Sequence, residues 1–258
     1  MQKNNYSEPV VLYTNHFVNK YLSDCFAHGA NIPIFNIEDF TDYNKTIVVY
    51  GYLRGTGEAI KKSENFFYMD HGYFKQSKRS FKSNRTTIEN FDGYFRIVYN
   101  DYWHSGNGNM PSDRFNKLKL EIKPIHRNGE FIILSEPVES AKKYYNLYSW
   151  VDDTINRLKK ITDRKIFVHS RESKIPLTSI LPKAWAFVSD HSSAGFLSML
   201  EGVPAYFTNN TLSKIGKLED LEKHEINYNI FNNLAYEQWT IDEIRSGESW
   251  EYLKRNIK

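Results

Sequence analysis

Residues 184–207 read AWAFVSDHSSAGFLSMLEGVPAYF, and the order of signals within them decides the fold. Ala184 to Val188 is an apolar run of strand length, the stretch from Ser193 to Glu201 carries helical spacing, and Ala205 to Phe207 is a second apolar run. Gly202 and Pro204 end the helix, because glycine takes the left-handed cap without a Cβ penalty and proline cannot extend the hydrogen-bond ladder. Strand, helix and strand in so short a span leave room for a parallel pair joined by a helical crossover.

The same alternation extends upstream. Glu130 to Leu134 reads as a strand, and Pro137 suits a first helical turn. Val138, Ala141, Tyr145, Tyr148, Val151, Ile155, Leu158 and Ile161 then keep one continuous helical stripe. Lys165 to Val168 is the next strand, followed by the loop His169 to Lys174 and a short proline-flanked helix. The run is βαβαβαβ, which predicts a parallel sheet with loops at its strand carboxyl ends forming a binding crevice. In the first half, Val10 to Tyr13, Ile32 to Phe35, Ile47 to Tyr50, Phe66 to Met69 and Phe95 to Tyr99 read as strands. Gly106-Asn-Gly-Asn-Met-Pro111 is a loop. The expected division is 1–128 and 129–258, two Rossmann-like α/β domains. Thr240-Ile-Asp-Glu243 is a capping box that opens terminal helices with Trp239, Ile241, Ile244, Trp250, Tyr252 and Leu253 as apolar faces.

Composition fits a packed globular chain of 258 residues, with 18 Tyr, 17 Phe and 5 Trp. Cys25 is the only cysteine, so neither an intramolecular disulfide nor a thiolate zinc cluster can form, which favours a reducing cytoplasm. No apolar run reaches the roughly 18 residues of a membrane span, and the polar start lacks a signal-peptide core. A cytoplasmic location without a membrane partner is expected, as monomer or homodimer. The net charge of +3 conceals a basic middle, since residues 71–128 carry 11 Lys/Arg against 5 Asp/Glu. Lys75, Lys78, Arg79, Lys82 and Arg85 alternate with Phe74 and Phe81, a pattern suited to a polyanion such as DNA; the plain alternative is a solvated loop.

Chemistry concentrates after predicted strands. Ser192 and Ser193 open a helix beside Ala194 and Gly195, where amides and dipole favour a phosphate, although capping alone would also explain two serines. The loop His169-Ser-Arg-Glu-Ser-Lys174 follows the preceding strand and can bring Arg171 and Lys174 to the same crevice, completing a diphosphate clamp. Two first-half loops also follow strands. Gly51-Tyr-Leu-Arg-Gly-Thr-Gly57 carries Arg54, which can meet a phosphate or an acceptor. Tyr68-Met-Asp-His-Gly-Tyr-Phe74 sets Asp70 beside His71 as a candidate base. His104, in Tyr102-Trp-His-Ser-Gly106, is the rival base, with a structural histidine as its alternative. There is no Asp-x-Asp, P-loop or His-Glu-x-x-His motif, so neither metal nor resident cofactor is expected.

The segment Trp185 to Phe207 resembles the donor-binding half of two-Rossmann (GT-B) glycosyltransferases, particularly capsule-type sugar transferases, over roughly residues 129–235 in element order. That resemblance implies that His169, Ser170, Arg171, Lys174, Ser192 and Ser193 hold the diphosphate of a donor such as a UDP-sugar, and that Glu201 holds the ribose. It also implies a central cleft between two domains and terminal helices that cross back to the first. The phrases Gly-x-Leu-Arg-Gly-Thr, Asp-His-Gly-Tyr-Phe and Leu234-Ala-Tyr-Glu-Gln-Trp-Thr240 look like bacteriophage proteins thought to glycosylate hydroxymethylpyrimidines in viral DNA. On that resemblance the acceptor is duplex DNA bearing modified bases, bound by Arg54, Lys75, Lys78, Arg79, Lys82 and Arg85, and the reaction is metal-independent inverting transfer from a nucleotide-sugar co-substrate. The rival expectations are a capsule or lipopolysaccharide glycosyltransferase or sugar-nucleotide epimerase, and a non-catalytic polyanion-binding module.

Overall fold

The computed structural model describes residues 8–76, 78–81, 88–104 and 108–256. In chain order the elements are β1 (Val10–Tyr13), α1 (Phe17–Ala30), β2 (Ile34–Asn36), β3 (Ile47–Tyr50), α2 (Thr56–Lys62), β4 (Phe66–His71), β5 (Lys78–Phe81), β6 (Ile88–Asp92) and β7 (Tyr94–Tyr99). They continue with α3 (Asp113–Lys117), β8 (Phe131–Ser135), α4 (Glu139–Tyr145), α5 (Trp150–Leu158), β9 (Lys165–His169), α6 (Leu177–Ile180), β10 (Ala184–Ser189), α7 (Ala194–Leu200) and β11 (Ala205–Phe207). The chain closes with α8 (Asn229–Ala235), β12 (Gln238–Thr240), α9 (Ile241–Arg245) and α10 (Glu248–Leu253). The described chain forms two compact units, one of residues 1–107 with 234–258 and the other of residues 108–233. Residues 108–128, grouped with the first half on sequence grounds, therefore lie in the second unit, and the tail lies in the first. Strand pairing is the physical reason that the chain crosses back to the first unit at its end: β12 adds to that unit's sheet.

The first unit carries a sheet of order β12-β7-β4-β3-β1-β2. β1 to β4 are parallel, while β7 runs antiparallel to both β4 and β12. Alternation along the strands sorts the apolar residues onto two buried faces. Val11, Val48, Phe67 and Met69 pack with α1 and the tail, whereas Val10, Leu12, Ile47, Val49 and Tyr68 pack with Ala59 and Ile60 of α2. Each such fully buried side chain contributes on the order of 2 kcal/mol. The expected capping box is present: Glu243 N donates to Thr240 Oγ1 at 3.2 Å, and Thr240 N donates to Glu243 Oε2 at 2.7 Å. It aims α9 at α1, and the two approach where Gly29 lies against the carbonyls of Ile244 and Arg245. A Cβ on Gly29 would overlap the Ile244 oxygen. Gly29→Ala should therefore cost about 2–3 kcal/mol in chemical denaturation, the upper part of the overpacking range; an unchanged midpoint would show that the tail docks elsewhere.

The second unit carries an all-parallel sheet of order β11-β10-β8-β9. Ile132, Leu134, Ala186 and Val188 face a core completed by Trp150, Leu158, Leu218 and Leu221. The expected single helix over 137–161 is two. Asn146 adopts φ 56°, a left-handed cap that asparagine tolerates, and Leu147 N donates back to the Lys142 carbonyl, so α4 stops and α5 starts anew at Trp150. α7 ends as the sequence predicts: Gly202 takes φ 80° and lies against the Pro124 carbonyl, leaving no room for a Cβ. Among the described residues no helix is long and apolar enough to cross a membrane.

Candidate functional site

The carboxyl ends of β8, β10 and β11 present Ser135, Ser189 to Ser193, and Thr208. Asp190, 8% exposed, is the charged centre of this edge. Trp150 Nε1 donates to Thr208 Oγ1 at 2.6 Å, Thr208 Oγ1 lies 2.7 Å from Asp190 Oδ1, and Asp190 Oδ2 lies 2.5 Å from His191 Nδ1. The indole can only donate, so the threonine's single proton must go to Asp190. The carboxylate in turn accepts from His191 Nδ1–H, a tautomer that places the imidazole lone pair on Nε2. The ring of Tyr145 sits 4.9 Å from that imidazole. An imidazole oriented by a buried carboxylate, itself fixed by a third partner, is the arrangement used to hold a general base in one geometry.

Ser192 and Ser193 lie directly beyond this pair. Ser192 N donates to Ser189 Oγ at 3.2 Å, and Ala194 N donates to Ser192 Oγ at 3.3 Å. The first amide of α7 is thus capped by Ser192, while Ser193 already has helical φ and ψ and its side chain makes no capping bond. His169, expected as a donor ligand, directs Nε2 to the Ile175 carbonyl at 2.8 Å and closes the loop after β9, in which the Ser170 carbonyl accepts from Ser173 N. Arg171 and Lys174 stand exposed on this loop. Only β8 separates β9 from β10, so the strands that lead into the loop and into the serines run about 10 Å apart. Glu201 is not brought to the serines. It lies past the far end of α7, and its carboxylate contacts Lys123 Nζ at 2.5 Å.

In the first unit the adjacent residues Asp70 and His71 do not act as a pair, because neighbours on a strand project to opposite faces. Asp70 accepts from Tyr68 OH at 2.8 Å, Arg96 Nη2 at 3.1 Å and His71 N at 2.8 Å. Arg96 is 3% exposed and also donates to the carbonyls of His71 and Tyr102, with its guanidinium 4.6 Å from the Trp103 ring centroid. The half-buried His71 ring instead lies against Tyr50 and Phe95. His104 is buried with Nδ1 2.7 Å from Glu237 Oε2, and Tyr73 OH, which donates to the Trp103 carbonyl, lies 3.2 Å from the same carboxylate oxygen. Burial, with Glu237 beside it, pushes the Tyr73 phenol well above its ordinary range. This network ties the tail segment at Glu237 to the body of the unit.

Arg54 lines a cavity at the carboxyl ends of β1, β2 and β3. Of the basic run, Lys75 and Lys78 are exposed, Arg79 is described only by its backbone pairing with Phe91, and Lys82 and Arg85 lie outside the described residues. Among the described residues no cluster of three or more His, Cys, Asp or Glu could hold a metal ion. The residues that sequence reasoning missed are Asp190, His191, Thr208 and Trp150. Asp190-His191 stood in plain view between the strand and the serines, but its partners come from positions far along the chain.

No family model matches the chain, and no curated protein does. Among solved structures the chain is similar to Thermosulfurimonas dismutans KpsC, a β-Kdo 2,4-transferase, at 11% identity over 88% of this chain and 89% of that one, with a TM-score of 0.48. A likeness at that level assigns the chain to no family.

Proposed function

We propose that the second unit binds a nucleoside-diphosphate sugar, with the diphosphate at Ser192 and Ser193 and within reach of Arg171 and Lys174, and that the chain transfers the sugar to a hydroxyl acceptor. The observation that carries this reading is the relay Trp150, Thr208, Asp190, His191, which ends beside the two serines at the carboxyl edge of a parallel sheet. The acceptor oxygen bonds C1 as the bond from C1 to the diphosphate oxygen breaks. The diphosphate leaves with the electron pair, and the acceptor proton passes to His191 Nε2. Hydrogen bonds and positive charge aimed at the leaving oxygens stabilise the charge that develops there, and attack opposite the leaving group inverts C1.

Ser192→Ala/Ser193→Ala should weaken binding of the donor nucleotide at least about tenfold, as loss of hydrogen bonds to a charged group requires. The check is a thermal-shift screen of UDP, CMP, GDP and ADP sugars against both proteins, with UDP expected to stabilise the parent most. Unchanged nucleotide affinity in the double variant would sink the donor site. Nucleotide release assayed with hydroxymethylated duplex DNA and with oligosaccharides identifies the acceptor class. Binding of nucleotide or DNA without any release would favour a non-catalytic binding module.

A further inference from the structure

We infer that the first unit holds a separate binding site for an anionic, hydroxyl-rich small molecule, of the sugar-phosphate or sugar-acid class, with Arg54 taking the anion. The cavity measures about 520 Å³, within the roughly 300–1,000 Å³ of small-molecule sites. It lies outside the carboxyl ends of β1, β2 and β3, where the connections leave β1 for β2 on one side and lead from β3 to β4 on the other. Such a reversal opens a crevice that neither flanking helix fills.

The turn between β3 and α2 is built at an energetic cost. Gly51 and Gly55 take φ 68° and 93°, but Arg54 between them takes φ 61°, a conformation that disfavours any residue with a Cβ. Glycine would adopt this turn without the strain that the arginine side chain brings to it. Arg54 and Lys62 both line the cavity, and neither has an ion-pair partner among the described residues, whereas the Glu58 carboxylate is drawn to Lys61 at 2.8 Å. With Lys61 counted beside the Glu58 it pairs, three cations against Glu38 and Glu58 leave a surplus of one positive charge. A monoanion neutralises it.

The remaining walls suit a polyol. Asn15, His16 and Glu38 combine donors and acceptors for hydroxyl groups, and the half-buried Tyr43 ring, with Lys62 Nζ over it at 5.2 Å from its centroid, adds an aromatic wall. Phosphate and carboxylate present similar oxygen forks to a guanidinium, so the anion's chemistry is shared between the two sources. The inference goes beyond the transferase reading, since no nucleotide on the second unit is required.

The test is isothermal titration calorimetry of the full chain with glucose 6-phosphate, glucuronate, glucose and inorganic phosphate, repeated with Arg54→Gln and Arg54→Gly. At least one anionic sugar should bind, and more tightly than glucose or inorganic phosphate alone; which one binds identifies phosphate or carboxylate as the anion. Both variants should weaken that binding at least about tenfold. The melting temperature of Arg54→Gly should equal or exceed the parent's, because glycine relieves the left-handed strain. Absence of saturable binding by either anionic sugar, equal binding of glucose, or undiminished binding by folded Arg54→Gly would overturn the inference. Failure of the serine variant described above would leave it standing.

Discussion

Asp70→Asn is expected to destabilise the protein by about 3 kcal/mol, because it removes the carboxylate 3.1 Å from Arg96 and leaves a guanidinium that is 3% exposed. An exposed ion pair would contribute only about 0–1 kcal/mol, but here the cation has already lost its water. The carbonyls of His71 and Tyr102 and the Trp103 ring keep part of their attraction, which places the loss at the lower end of the buried-pair range of about 3–5 kcal/mol. Asp70→Asn/Arg96→Met should recover much of the difference, since the double variant buries neither charge. Urea denaturation of the four proteins in this cycle measures it. A loss under about 1 kcal/mol for Asp70→Asn would show that the pair is not the anchor of β4 against β7. A stably folded Asp70→Asn that has lost turnover would return Asp70 to the role of base.

Acid should weaken the second unit through His224. This imidazole is 1% exposed, neither ring nitrogen has a hydrogen-bond partner among the described residues, and it stacks 3.6 Å from the Trp185 ring centroid. Burial first, then Arg127 and Arg164 and to a lesser extent His126, against a smaller opposing effect from Glu222, lower its pKa from 6.5 to about 4. The unfolded chain therefore takes up this proton as pH falls below 6.5, while the folded chain resists it until about 4. Stability is complete above 6.5 and declines towards pH 4, by about 3 kcal/mol in all, then levels. His224 sits at φ 54°, so His224→Asn is the suitable comparison: asparagine tolerates that backbone and cannot charge. Denaturation midpoints between pH 7 and pH 4 should fall more steeply for the parent than for the variant. Parallel pH profiles would rule out His224 as the source of acid lability.

Much of the fold was legible because its signals are local. The apolar runs Val10 to Tyr13, Ile47 to Tyr50 and Ala184 to Val188 are strands in the structure, and the Thr240 to Glu243 capping box closes as its spacing requires. The apolar stripe from Val138 to Ile161 misled, because helical spacing persists across the interruption at Asn146 and periodicity cannot see a reversed φ. That break has chemical consequences, since it releases Trp150 to reach Thr208.

The candidate site divides in the same way. Ser192 and Ser193 were legible from the strand, the small residues and the Gly202 stop, all within one short stretch. Asp70 and His71 looked like a pair because they are adjacent, yet adjacency on a strand separates side chains. The alternation of strands and helices in the second unit, its parallel sheet and the position of the serines at its carboxyl edge were determined by the sequence alone, since each depends on periodicity and caps within a few residues. Only the tertiary structure decided which groups meet: Arg96 with Asp70, Glu237 with His104, and Trp150 and Thr208 with Asp190. Those partners are far apart in the chain, and a long-range contact is set by strand register and packing, for which no local pattern of residues provides a measure.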